Sequence, residues 1–197
     1  GGLESSDIAA LSTAQARALS SRQLGALSTT QVAGLESTDI AVLGTAQLAG
    51  MSAMQFAALT TTQLAGLDSR QLAALSVTQL GGLTPLQVAA LESGQVVGLQ
   101  AKQLAGLSQT QVAALAATNI AILSAAQMNG LTATQLAILS AAQMARLQAG
   151  QIKGLTTAQL AGFTSTQVAG LATTQAEALT VLQLAALSTT QINGLGA

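Results

Sequence analysis

At 197 residues the chain is long enough for one ordinary domain, yet half of its residues are apolar and only Phe56 and Phe163 are aromatic, with Tyr, Trp, His and Cys absent. Aromatic rings normally fill much of a folded interior, so this one has to be built from Leu, Ile, Val, Met and Ala. Six cations and seven acids, a formal net charge of −1, are spread too thinly for the clustered basic face that nucleic acid requires, and the wealth of large aliphatics excludes the disordered class.

Read from Leu3, the chain is 24 octads ending at Gly194, with no insertion or deletion. The first, Leu3-Glu4-Ser5-Ser6-Asp7-Ile8-Ala9-Ala10, already shows the plan: a leading Leu, a polar second residue, a polar fifth, an aliphatic sixth and small residues after it. The second octad keeps the frame but carries Ala16 at its sixth position, and the octad from Leu35 repeats the acidic version with Glu36 and Asp39. Met51 leads the next variant, and Pro85 follows Thr84 in the octad from Leu83. Farther along, Asn119 takes the fifth position, Phe163 leads, and Ala176 takes the sixth; elsewhere the lead is Leu, the fifth residue is Gln in 21 octads, and the eighth is Gly in 11.

A period of eight cannot be one long amphipathic helix, because at about 100° per residue the apolar stripe would drift by roughly 80° each unit. Alternating strands fit no better, since positions one, six, seven and eight do not follow a period of two, and Ala, Leu and Gln favour helix. The chain must therefore turn once per octad. The second position is Ser, Thr or Asp in 16 octads, three residues ahead of the Gln. That is the spacing of a capping box, and the Leu and the sixth residue then stand where a hydrophobic staple would be. Pro85 falls at the first helical position, where a missing N–H costs nothing.

Helices this short need neighbours to be stable. Small residues at positions seven and eight permit close approach, and Gly at the eighth is expected to end the helix in the left-handed conformation. The predicted fold is all-α: a compact solenoid of 24 very short helices, one per octad, with about three or four octads per superhelical turn. A 32-residue echo between Glu4-Ser5-Ser6-Asp7 and Glu36-Ser37-Thr38-Asp39 hints at four. The chain is expected to be a single solenoid over 1–197, cut from a longer array, with 24 full repeats over 3–194.

The sequence offers no catalytic, cofactor-binding or metal-binding residues. Without His or Cys, and with Ser residues recurring as caps, no nucleophile has a base. Three Asp and four Glu are too few for a calcium repeat. The local acid pairs, Glu4 with Asp7 and Glu36 with Asp39, read as solvated surface charges. The Gln column reads as structural, and Met51, Met54, Met128 and Met144 read as core filler. No run approaches the roughly 20 apolar residues of a membrane span, and Glu4 to Asp7 stand where a cleaved signal would be basic and then apolar. The expected partners therefore exclude nucleic acid and membrane insertion.

The pattern Leu-Ser/Thr-x-x-Gln-Val/Leu/Ile-Ala-Ala/Gly, as in Leu27–Gly34, Leu59–Gly66 and Leu187–Gly194, resembles over the whole chain the octapeptide arrays of large bacterial surface or type I-secreted proteins. The resemblance implies an extracellular, adhesin-like setting, a structural role and no site residues. Three functions follow. The first is a non-enzymatic spacer or stalk, a rod of roughly 50–80 Å if coils stack at ordinary helix spacing. The second is a filament subunit stacking end to end through Gly1-Gly2 and Leu195-Gly196-Ala197, the unprotected ends of the repeat. The third is a module binding ice or glycan through exposed hydroxyls such as Thr29-Thr30 and Thr173-Thr174.

Overall fold

The computed structural model describes residues 4–195, so Leu3 and the end residues Gly1-Gly2 and Gly196-Ala197 lie outside the described residues. Each octad forms one helix, α1 to α24, running from α1 (Ser5–Ala9) to α24 (Thr189–Ile192), and each is four to six residues long. They begin where the capping boxes place them. All sixteen Ser, Thr and Asp residues at position two accept the backbone N–H of the residue three ahead. Pro85 opens α11 (Pro85–Ala89) at its first position.

The corner between helices is made by two extended residues in a row. Leu59 at φ −63°, ψ 139° precedes the N-cap Thr60 at φ −70°, ψ 160°, and Leu75 with Ser76 repeats the geometry. The N–H of the leading Leu closes the outgoing turn on the sixth-position carbonyl, as in Leu35 N–H to Val32 O at 3.2 Å and Leu67 to Leu64 at 3.0 Å. The expected left-handed glycine is therefore not used: Gly34, Gly66 and Gly82 sit at φ −80°, −69° and −74°, in the right-handed region. Two extended residues turn the chain from one helix into the next, a conformation that any L-residue can supply.

The chain divides into two compact units on either side of the Leu99–Gln100 bond. In the first, α1 packs on α4 (Thr29–Ala33), α2 (Thr13–Ala18) on α5 (Ser37–Ala41), and α5 on α8 (Thr61–Ala65). In the second, α13 (Ala101–Ala105) packs on α16 (Ala125–Gly130), α14 (Gln109–Ala114) on α17 (Ala133–Ala137), and α21 (Ser165–Ala169) on α24. Helices three apart are stacked, so within each unit three octads make one coil. The 32-residue echo is not a coil period; it places Glu4 and Glu36 on different sides of the coil.

Position six fills the axis: Ile8, Leu24, Ile40, Phe56, Leu72 and Leu104 are fully buried. Position one forms a second buried column from Leu35 to Phe163, which includes Met51. Met128 and Met144 are buried as expected of core filler, but Met54, at position four, is 74% exposed.

The eighth position sets how closely coils approach. A Cβ built on Gly66 would stand 2.5 Å from the carbonyl oxygen of Ser37, the first residue of the helix one coil earlier, and one on Gly82 would stand 2.5 Å from that of Ala53. Glycine is used here for contact rather than for backbone freedom.

Candidate functional site

The polar position repeated with least variation is the fifth, and the structure shows why its amide is needed at both ends. All 21 glutamines accept the N-cap N–H of their own helix on Oε1 at 2.7–2.9 Å, completing the box from the side-chain end. The other end of the amide points at the preceding coil. Gln55 Nε2 donates to Leu24 O at 2.9 Å and Leu27 O at 2.7 Å, and Gln79 donates to Leu48 O and Met51 O at 2.9 and 2.7 Å. In the second unit Gln159 takes Met128 O and Leu131 O at 2.9 and 2.7 Å, and Gln183 takes Ile152 O and Leu155 O at 2.9 and 2.8 Å.

The receiving carbonyls lie 31 and 28 residues earlier, the sixth position of one octad and the first of the next. The sixth-position carbonyl already accepts the N–H of the next leading residue and takes the amide as a second donor, whereas the first-position carbonyl sits in the extended corner, where no helical N–H reaches. One side chain therefore caps the start of its own helix and the end of another. Gln55, Gln63, Gln87 and Gln183 are 2–3% exposed, and among the described residues no buried side-chain nitrogen or oxygen is left without a partner. Each such bond contributes about 1 kcal/mol net, while a carbonyl left unpaired costs about 1–3 kcal/mol. From Gln55 onward the column is a buried polar seam rather than an open binding ladder.

Donor capacity is the signal that sequence reading passed over. A capping box accepts Glu as readily as Gln, so 21 glutamines and no glutamate at this position mark a demand for N–H that the cap alone does not make. Asp39 is the informative departure. Read as a solvated charge, it is instead 1% exposed, with Oδ2 accepting Glu36 N–H at 3.1 Å. From Gln55 onward position five is interior whatever residue fills it, Asn119 included. Asp7, Glu4 and Glu36 are exposed as expected, as are Arg17, Arg22, Arg70, Lys102, Arg146 and Lys153.

The hydroxyls at position four are exposed, as are those of Thr29 and Thr189 at position three, whereas Ser5, Ser37, Thr61 and Ser69 at position three are half-buried. Those at position two are engaged as caps, and Thr132 Oγ1 also contacts Thr134 Oγ1 at 3.0 Å. The clefts of the described surface include one of about 220 Å³ lined by Leu139, Met144, Thr166 and Gly170. Among the described residues no three His, Cys, Asp or Glu side chains are grouped to hold a metal, and no helix is long and apolar enough to cross a membrane.

None of the curated proteins matches the chain. A family model described as the ALTTAQ repeat matches four times, at residues 1–35, 32–69, 55–85 and 144–181. Those six letters follow the octad from its eighth position to its fifth, as in Ala58-Leu59-Thr60-Thr61-Thr62-Gln63. The matches take in both units and more than half of the residues, and the chain belongs to the ALTTAQ repeat family.

Proposed function

We propose that the chain is a non-catalytic spacer whose length is set by the number of octads it carries, and that it serves as a stalk segment in a large bacterial secreted or cell-surface protein. The observation that carries this reading is the coil-to-coil use of the Gln column. Position five builds the scaffold in nearly every octad, and no octad diverts it to another task. Such quasi-one-dimensional arrays gain stability from nearest-neighbour interfaces, so adding or removing a coil changes reach without changing the interface. The sequence resemblance to arrays of bacterial surface and type I-secreted proteins supports the setting, and the absence of Cys from the chain agrees with it without requiring it.

The test is a deletion series. Removing three consecutive octads, for example residues 43–66 in frame, should shorten the maximum dimension in dilute small-angle scattering by one helix spacing, about 8–10 Å, with helicity per residue unchanged. A dimension indifferent to the number of octads would overturn the spacer reading. For the setting, exposure of the full-length parent protein to protease added outside intact cells should cleave it within the array; complete protection with the cells intact would contradict a surface location.

A further inference from the structure

Asparagine occurs three times in the chain, and two of the three stand directly before glycine, Asn129-Gly130 and Asn193-Gly194, in the seventh and eighth positions of their octads. Asparagine is thermolabile because the next backbone nitrogen can displace its side-chain amide. Glycine hinders that attack least, having no side chain and a freely turning backbone. Asn119 is protected on both counts, being 2% exposed and followed by the β-branched Ile120. Asn129 is exposed.

Asn129 is the last residue but one of α16. Helical backbone holds the Gly130 nitrogen away from the Asn129 carboxamide, so reaction waits for the last turn to open. That opening is small. Leu131 already leaves the helix in the extended conformation, and at the same octad position Gly34 and Gly66 are C-caps beyond the ends of α4 and α8. Only the end of a six-residue helix has to move, the kind of local fraying that costs least.

We propose that Asn129 is a site of spontaneous deamidation and isomerisation, and that the isomerised product loosens the coil contacts on both sides of it. The Gly130 nitrogen bonds to Cγ of Asn129 while the Cγ–Nδ2 bond breaks, and ammonia leaves with the Gly130 proton, closing a succinimide ring. Water then opens the ring. Attack at Cγ gives aspartate on an unchanged backbone; attack at the main-chain carbonyl gives isoaspartate, whose backbone runs on through Cβ and is a carbon longer. Ammonia is lost, so the product accumulates with the age of the chain.

The fold has no room for the extra carbon. Gly130 faces Ala101, the first residue of α13, where a built Cβ would stand 2.6 Å from the Ala101 Cα, 2.7 Å from its carbonyl carbon and nearer still to its oxygen. On the other side, Gln159 Nε2 holds Met128 O at 2.9 Å and Leu131 O at 2.7 Å, the carbonyls that flank the Asn-Gly pair. The Leu131 N–H also returns to Met128 O at 3.1 Å. A carbon inserted between Met128 and Leu131 spreads the two carbonyls that one amide must reach and displaces Gly130 where it has least clearance. The contact at Gly194 is looser, with nothing nearer than 3.2 Å to its built Cβ.

The experiment ages the folded 197-residue chain carrying Asn193→Gln, an exposed site, so that Asn129-Gly130 is its one Asn-Gly pair. The same chain is aged in parallel in the same neutral buffer, unfolded in guanidinium chloride. At intervals the tryptic peptide 103–146, which holds Asn119 and Asn129, is read by mass spectrometry with electron-transfer fragmentation, which separates aspartate from isoaspartate. Conversion at Asn129 and not at Asn119 is expected in the folded chain, roughly tenfold slower than in the unfolded one, as a helix end that opens readily allows. A folded chain that stays unconverted while the unfolded chain converts would overturn the site, and equal rates would overturn the gating by α16. The isoaspartate-bearing fraction should then unfold at a lower guanidinium midpoint than freshly made Asn129→Asp in the same background, which carries the same charge on an unlengthened backbone. Equal midpoints would overturn the link to the coil contacts.

Discussion

Helices α5 and α8 are stacked neighbours in the same unit, and they solve the same problem with different residues. In α8, Thr60 accepts the Gln63 N–H at 3.1 Å, Gln63 Oε1 returns to Thr60 N–H at 2.8 Å, and Nε2 reaches Val32 O, Ala33 O and Leu35 O in the coil below. In α5, Glu36 makes no side-chain cap bond to the helix, and Asp39 accepts one N–H and has no hydrogen to pass on. Its partners by position, the carbonyls of Ile8 and Leu11, meet no side-chain amide there, although Ile8 O still accepts the Leu11 N–H. The pair shows that the eight-residue plan folds without the full set of polar bonds, because Ile40 and Leu43 are as buried as Leu64 and Leu67. Apolar burial makes the coil; the amide column fixes one coil on the next.

The strongest way to break the comparison is to give α8 the defect of α5 at full length. Gln63→Glu keeps the cap acceptor but aims a carboxylate at three carbonyls in a buried seam, and an unpaired buried charge of this kind costs about 3–5 kcal/mol. Urea unfolding at neutral pH should show that loss. Burial and facing carbonyls disfavour the charged form, so the introduced carboxyl has a folded-state pKa above its unfolded value of about 4.3. The penalty should therefore grow as pH rises through that window and shrink below it, while wild type lacks this component. A loss of similar size at low pH would mean that shape rather than charge is at fault.

Next in size is the contact that brings the two helices together. Gly66 ends α8 against the Ser37 carbonyl of α5, where a built Cβ stands at 2.5 Å from backbone oxygen. Gly66→Ala should cost about 1–3 kcal/mol, the range for overpacking, since backbone and not a flexible side-chain end has to give. Gly94, a helical glycine with nothing within 4 Å of its built Cβ, provides the control: Gly94→Ala should gain up to about 1 kcal/mol from helix propensity. Equal effects at the two sites would remove the close-approach explanation.

The comparison also tells how much could be read beforehand. The octad, the helix starts and the two apolar columns follow from residue type at fixed spacing, because caps and staples are local and the octad that carries them recurs 24 times. The number of octads per coil was not legible in that way. It depends on which short helices stack, and the acidic echo between Leu3–Ala10 and Leu35–Val42 pointed to four where the fold uses three. The glutamine seam was half legible: its Oε1 role is local, whereas its Nε2 role spans 28–31 residues. Glycine misled for a related reason, since composition suggested a turn conformation when the constraint was a neighbour one coil away. Asp39 misled because charge was weighed above position.

In the opposite direction, α5 should be improvable toward α8. Asp39→Gln removes a buried carboxylate, retains the acceptor for Glu36 N–H, and extends an amide toward Ile8 O and Leu11 O; a gain of about 1–2 kcal/mol follows from one or two added neutral hydrogen bonds. The smaller step is Glu36→Thr, which introduces the hydroxyl that Thr60 provides in α8 and should add about 0.5–1 kcal/mol, the ordinary worth of an N-cap. The two sites share one box, so their effects should not simply add. A fifth-position amide shares Oε1 with the cap and Nε2 with the coil below, so fixing the cap should orient the amide and make the double variant exceed the sum. If Asp39→Gln left stability unchanged while Glu36→Thr raised it, the coil-to-coil half of the glutamine's role would contribute nothing, and the seam would have to be explained by capping alone.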